Sequence, residues 1–131
     1  MAHKVLLDTH TLIWAALAPE ELSTVAQTLL LSRETLVYYS AVNAWEIGIK
    51  IRVGKLPEAL PLFENFFATM GELGFLELPF TAKHGLEVAR LESEHRDPFD
   101  RALMAQSRLE RLPLLSADPM LEGVPGVQRV W

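Results

Sequence analysis

Arg96-Asp97-Pro98-Phe99-Asp100-Arg101 sets two carboxylates three residues apart at the point where a helix begins. Asp97 before Pro98 has the form of an N-cap followed by a first-turn proline, and Phe99, Ala102, Leu103, Leu109 and Leu112 continue at helical spacing. The plainest reading makes both acids helix-end devices: Asp97 caps, Asp100 returns a capping-box bond, and each suits the positive end of the helix. That accounts for Asp97. It does not account for Asp100, because Leu103, Met104 and Ser107 follow on its row and are apolar or small, so the carboxylate heads a row expected to be buried. A carboxylate entering a core needs a partner, and no lysine or arginine follows on that row. Asp100 therefore calls for groups from elsewhere in the chain.

At the N-terminal end, Val5-Leu6-Leu7 is a continuous apolar run stopped by Asp8-Thr9-His10-Thr11, the pattern of a buried central strand ending at a polar edge. Ligands of open α/β sheets sit beyond the carboxyl ends of strands, which makes Asp8 a candidate site residue. The plainer alternative is that Asp8 or Thr9 caps a helix through Leu12 to Leu17. Leu36-Val37-Tyr38-Tyr39 predicts a second strand, and Ser40 caps a helix over residues 41–53 that Gly54 stops. Val42, Trp45, Ile49 and Val53 are its expected apolar stripe. Glu46 lies beside that stripe, preceded at steps of three by Ser40 and Asn43, which gives a polar strip along one flank. On an open helix face Glu46 would pair with Lys50 for only about 0.2–0.5 kcal/mol, which does not explain an acid flanking a buried row. Leu112-Pro113-Leu114-Leu115 predicts a further strand, broken by Ser116-Ala117-Asp118-Pro119. Asp118-Pro119 suits an ordinary turn, and it also places another acid directly after an apolar strand.

Between these segments, residues 20–31 predict an amphipathic helix with Leu22, Val25, Ala26, Leu29 and Leu30 on one side. Residues 57–73 predict another, whose aromatic residues belong to a core or a dimer contact because they follow helical spacing. Residues 74–79 predict a short strand, 81–92 a helix and 127–131 an edge strand. His84 and His95 read as surface histidines, since neither has a histidine partner at zinc-site spacing. Lys50, Arg52 and Lys55 gather near Gly54, while Arg101, Arg108 and Arg111 share a flank of the helix opened by Asp97. Both groups suit solvated faces; Lys50, Arg52, Arg101 and Arg108 are the candidates for substrate phosphate contact.

Strands alternating with helices predict one α/β domain over residues 1–131, with a parallel sheet of four or five strands. No linker, repeat or low-complexity run divides the chain, and no apolar run is long enough to span a bilayer. With no cysteine and no signal-like N-terminal segment, the expectation is a cytoplasmic protein that does not associate with membranes. Seventeen acids against twelve bases, a net charge of −5, argue against a general nucleic-acid coat protein. They do not argue against an enzyme that acts on nucleic acid through a cation-loaded acidic site.

Asp8 and Asp118 after strands, Asp97 and Asp100 opening a helix, and Glu46 on a helix flank would repel one another in one pocket unless cations lay between them. All-oxygen ligation is what magnesium or manganese prefers. Two such ions can activate one water and stabilise the leaving oxygen of a phosphodiester.

Five ordered motifs carry a family likeness: Leu7-Asp8-Thr9-His10, Ser40-Ala41-Val42-Asn43-Ala44-Trp45-Glu46-Ile47, Gly54-Lys55-Leu56, His95-Arg96-Asp97-Pro98-Phe99-Asp100-Arg101 and Leu115-Ser116-Ala117-Asp118-Pro119. Through them the chain resembles a PIN-domain ribonuclease, specifically the toxin half of a VapBC-type bacterial toxin–antitoxin pair. The resemblance implies a sheet in the order 3-2-1-4-5 with helices on both faces, and Mg2+ or Mn2+ held chiefly by Asp8 and Asp100. Glu46 and Asp118 would complete the acidic quartet, with Asp97 behind it as a support or cap. Thr9, Asn43 and Ser116 would hydrogen-bond to the carboxylates or the substrate. Toxins of this kind cleave a single-stranded loop of a structured RNA, form homodimers, and assemble with a small antitoxin whose C-terminal segment covers the groove. A haloacid-dehalogenase phosphatase needs a second acid two residues after the first, and that position is His10. A catalytically inert PIN-like or receiver-like module that binds magnesium and a protein partner is disfavoured by intact Asp8, Glu46, Asp100 and Asp118.

Overall fold

A computed structural model describes residues 3–131. Its first strand, β1 (His3–Leu7), turns Val5 and Leu7 into one apolar cluster and Leu6 into another, so it is buried on both faces. β2 (Thr35–Ser40) and β4 (Leu114–Leu115) flank it, and β3 (Leu76–Leu78) and β5 (Arg129–Val130) lie outside them. The five strands run parallel in the order β3-β2-β1-β4-β5, as the family resemblance implied.

Helices cover both faces. α1 (Thr9–Leu17), α2 (Thr24–Leu31), α4 (Leu60–Glu64) and α5 (Phe66–Leu73) pack Leu12, Ala26, Leu62 and Met70 against Val5, Leu7 and Val37. On the other face, α7 (Pro98–Glu110) buries Leu103 and Met104 beside Leu6 and Leu114, with α6 (Ala82–Val88) packed against it. α3 (Ala41–Arg52) sends Ile47 into the first cluster and Val42 into the second, which places it across the carboxyl ends of the strands. Among the described residues no helix is long and apolar enough to cross a membrane.

Several elements differ from their sequence-based outline, each for a local reason. The helix expected over residues 20–31 splits, because Ser23 accepts the Ala26 amide at 3.0 Å and starts α2 afresh after a 3-10 turn at Pro19–Glu21. The helix expected over 57–73 opens with a 3-10 turn at Pro57–Ala59 and breaks at Asn65, whose side chain donates back to the Pro61 carbonyl at 3.2 Å. The helix expected over 81–92 stops at Val88, because the Arg101 guanidinium takes the carbonyls of Val88, Leu91, Ser93 and His95.

His84 is not a surface histidine: it is buried, its Nδ1 accepts the Thr81 amide at 2.9 Å, and its Nε2 lies 2.9 Å from Glu110. The expected stripe of α3 is also displaced. Val42 is buried, but Trp45, Ile49 and Val53 are 59%, 44% and 58% exposed, and the inward face carries Asn43, Glu46 and Ile47.

Candidate active site

The site begins where β1 ends. The chain leaves β1 for β2 and β3 on one side and returns to β4 and β5 on the other, so a crevice opens between β1 and β4 at the reversal of strand order. Asp8 stands at its floor. Its Oδ1 accepts the Thr11 amide at 2.8 Å, capping α1, and its Oδ2 accepts the Ser116 hydroxyl beyond β4. The Thr11 hydroxyl donates to the Leu115 carbonyl at 3.0 Å, closing the same seam.

Glu46 enters from α3 and is only 4% exposed. A chain of hydrogen bonds fixes it. Asn43 accepts the Ser40 amide at 2.6 Å and donates to Thr9 Oγ1 at 3.0 Å; Thr9 in turn donates to Glu46 Oε1 at 2.5 Å. Lys50 donates its ammonium to Glu46 Oε2. This satisfied polar network explains the displaced stripe of α3, since a buried acid and amide with full partners turn the helix so that its polar flank faces in.

Asp97 accepts the Asp100 amide at 2.9 Å and caps α7, as the sequence predicts. Asp100 does not return a capping-box bond. Its Oδ2 meets His95 Nε2 at 2.7 Å, and Asp118 Oδ2 lies 3.9 Å from the same nitrogen. Asp118 caps the 3-10 turn Pro119–Leu121 through the Met120 amide at 2.9 Å.

Asp8, Glu46, Asp97, Asp100 and Asp118 thus line one cleft of 430 Å³, together with Thr9, His10, Trp14 and Lys50. Asn43 and Ser116 are buried behind it and reach the acids through the bonds described above. Of the four basic candidates, only Lys50 lines the cleft. Arg52 is exposed on the last turn of α3. Arg101 is committed to four backbone carbonyls, and Arg108 donates to Glu87 at 2.8 Å and to the Pro125 carbonyl at 3.1 Å. Arg101 and Arg108 are thus tied to α6 and the loops beside it, so two of the three arginines expected to form a phosphate stripe on α7 act as structural clamps, while Arg111 is exposed at the end of the helix.

Two acids hold their protons more tightly than usual. Burial pushes Asp8 up, against hydrogen bonds from Ser116 and Thr11. Burial raises Asp100 to about 6; the His95 hydrogen bond opposes the rise, and the charges of Asp97 and Glu46 add to it. For Lys50, burial works against the charged form, but the Glu46 bond and the charges of Glu46, Asp97 and Asp100 outweigh it and hold the ammonium above its ordinary value. The cleft is short of positive charge.

His95 Nε2 and one oxygen each from Asp100 and Asp118 lie within 4.8 Å of one another. A small octahedral cation about 2.1 Å from its ligands sets neighbouring ligands about 3 Å apart and opposite ones about 4.2 Å apart. The triad therefore fits one such ion with little movement. Asp8 and Glu46 are engaged by protein donors, although each carboxylate oxygen keeps a second lone pair for a ligand.

His95, five residues before Asp100, is not the surface histidine that the sequence suggested: its side chain is largely covered and bonded to Asp100. The sequence reading missed Gln106, which is buried in α7, accepts the Ser40 hydroxyl at 2.5 Å and donates to the Pro79 carbonyl at 3.2 Å. That bond ties the cap of α3 to α7. His10 and Trp14, with ring centroids 5.7 Å apart, form an aromatic wall that the helical spacing of α1 did not single out.

The fold is similar to that of chains in several solved complexes. One is VapBC2 from Rickettsia felis bound to a DNA fragment from its promoter, with a TM-score of 0.71 and 14% identity over 97% of each chain. Another is DNA-bound VapBC from Salmonella typhimurium, with a TM-score of 0.66 and 16% identity over 99% of this chain and 98% of that one. A third is VapBC-5 from Mycobacterium tuberculosis, with a TM-score of 0.58 and 23% identity over 97% and 98%. At these identities the likeness establishes the fold. No curated protein sequence matches the chain. The family model of the PIN domain matches residues 5–127, a span that holds Asp8, Glu46, Asp100 and Asp118, and the chain belongs to the PIN-domain family.

Proposed function

We propose that this chain is a metal-dependent endoribonuclease and the toxin of a VapBC-type pair, held inactive by a small antitoxin. The observation that carries the reading is the convergence of Asp8, Glu46, Asp100 and Asp118, from four separate segments, on one cleft at the switch point of the sheet. Membership of the PIN-domain family supports it. So does the likeness to chains of toxin–antitoxin complexes, two of which are bound to DNA. In an assembly of that kind the acidic chain described here would face its partner, and contact with DNA would fall to the antitoxin.

Asp100 and Asp118, with His95 beside them and Asp8 and Glu46 across the cleft, would hold magnesium or manganese. When bound, that ion supplies Lewis acidity toward water and phosphate. The remaining work belongs to the chain. Ser116 and the Thr11 amide hold both oxygens of Asp8 in place. Asn43 and Thr9 hold Glu46 against the ring of acids. Lys50 presents a positive charge to a phosphodiester entering the cleft. Trp14 and His10 offer an aromatic wall on which a base next to the scissile bond could stack, a sequence-tolerant contact suited to single-stranded RNA.

The test uses the purified, antitoxin-free chain with total bacterial RNA and Mn2+, with and without chelator, beside Asp100→Asn. Cleavage that needs the metal and disappears in the variant is expected; equal cutting by both proteins would reject the assigned role. In cells, expression without the partner is expected to arrest growth, and Asp8→Asn to relieve the arrest. Unimpaired growth with folded wild-type protein would count against toxicity.

A further inference from the structure

The two halves of the acidic cleft are neutralised differently. On one side, His95 Nε2 and oxygens of Asp100 and Asp118 converge within 4.8 Å; His95 is hydrogen-bonded to Asp100, and among the described residues no lysine or arginine pairs with either carboxylate. On the other, each oxygen of Glu46 already accepts one donor, and one of the two is a full positive charge: Oε1 accepts the Thr9 hydroxyl, and Oε2 accepts the ammonium of Lys50. Lys50 leaves α3 one turn after Glu46 and lines the cleft itself. Its ammonium also lies 6.0 Å from the centroid of the Phe99 ring, which places it between α3 and the start of α7.

We propose that the Lys50 ammonium is a built-in cation that takes the place of a second divalent ion at Glu46, so that the centre binds one exchangeable cation per chain, on the side of Asp100, Asp118 and His95. This rests on the metal-dependent reading above and specifies the number of ions. An ammonium has three donors and no lone pair, so it can neutralise Glu46 and contact a phosphate oxygen but cannot share a ligand role with a metal. A divalent ion seated at Glu46 would have to expel Lys50 or sit beside it, and like charges at that separation in a partly desolvated cleft repel strongly. The arrangement also holds the second positive charge covalently. It cannot be removed by chelator, and it stays in place between turnovers.

The experiment is a titration of the purified full chain with Mn2+, followed by the electron paramagnetic resonance signal of free Mn2+, which counts ions bound and needs no catalysis. The wild type is expected to bind one Mn2+ per chain. Lys50→Gln, which frees Glu46, is expected to bind two. Glu46→Gln/Lys50→Gln, with neither the acid nor the ammonium, is expected to return to one. Two ions in the wild type would overturn this inference while leaving the nuclease reading intact. One ion in a folded Lys50→Gln would also overturn it. No Mn2+ in the wild type would overturn both. Circular dichroism establishes that each variant is folded, and if Lys50→Gln does not fold, the wild-type count remains a test by itself.

Discussion

Asp100→Asn should make the metal-free protein more stable at neutral pH while removing the proposed nuclease activity. The Asp100 carboxyl is raised from 3.8 to about 6, chiefly by burial. A folded-state value above the unfolded one means that protonation favours the fold. The benefit is fully present below pH 3.8 and is lost as pH rises through about 6, so at pH 7.5 the ionised carboxylate burdens the native state. A rise of about 2 pKa units corresponds to about 3 kcal/mol. Because the side chain is 22% exposed and solvent screens part of the repulsion, about 1–2 kcal/mol is the working figure. Asparagine has the same shape, carries no charge and keeps an oxygen for the His95 donor. In chelator at pH 7.5 the variant should therefore melt about 3–8 °C above the wild type, by the scaling for a domain of this size. The difference should shrink toward pH 4, where wild-type Asp100 is neutral. Added Mn2+ should raise the wild type and leave the variant nearly unmoved, which reverses their order. Thermal melts of both proteins at two pH values, with chelator and with Mn2+, supply the data. A variant that melts below the wild type in chelator at pH 7.5, or a gap that does not depend on pH, would refute the account of Asp100 as a repelled, cation-seeking acid.

Arg101→Ala should cost about 2–4 kcal/mol in urea unfolding, because four carbonyls of residues 88–95 lose a charged donor; a loss below 1 kcal/mol would mean that the segment carrying His95 holds itself. Trp14→Ala should raise KM for RNA by roughly 5- to 100-fold with little change in kcat, and Trp14→Phe should restore most of it, since a stacked base contributes about 1–3 kcal/mol; a fall confined to kcat would sink the stacking wall. Gln106→Leu leaves the Ser40 hydroxyl without its acceptor and should cost about 1–3 kcal/mol by thermal or urea unfolding. An unchanged midpoint would show that the tie between the cap of α3 and α7 is dispensable.

What could be read from the sequence was what local chemistry decides. Val5-Leu6-Leu7 is buried on both faces because a central parallel strand is, and Asp97-Pro98 starts α7 because a cap and a first-turn proline act within four residues. What could not be read depends on contacts between distant segments. The early end of α6 follows from one guanidinium, that of Arg101, which takes the carbonyls of Val88 and Leu91 inside the span that periodicity assigns to a helix and those of Ser93 and His95 just beyond it. The facing of α3 was misjudged for a related reason. Apolar spacing selects Val42, Trp45, Ile49 and Val53, but Thr9 and Lys50 complete the hydrogen bonds of Glu46, and a fully partnered polar flank can be buried while an apolar one stays out.

The same bonds explain how so many acids fold together before any cation arrives. The acids that the sequence offered with two readings, helix-end device or site residue, both stand at helix ends and line the cleft. Asp8 caps α1, Asp97 caps α7, Asp118 caps the turn after β4, and Asp100 lies in the first turn of α7. Amide donors and the positive ends of α1 and α7 offset part of the repulsion among these carboxylates. Glu46 sits in the middle of α3, where no free amide or helix end can reach it, and it is the acid that receives a lysine. Capping a helix and lining the cleft are therefore compatible, and the caps help to bring these acids together. The acid without a cap is therefore the one that the chain pairs with a lysine of its own, Lys50.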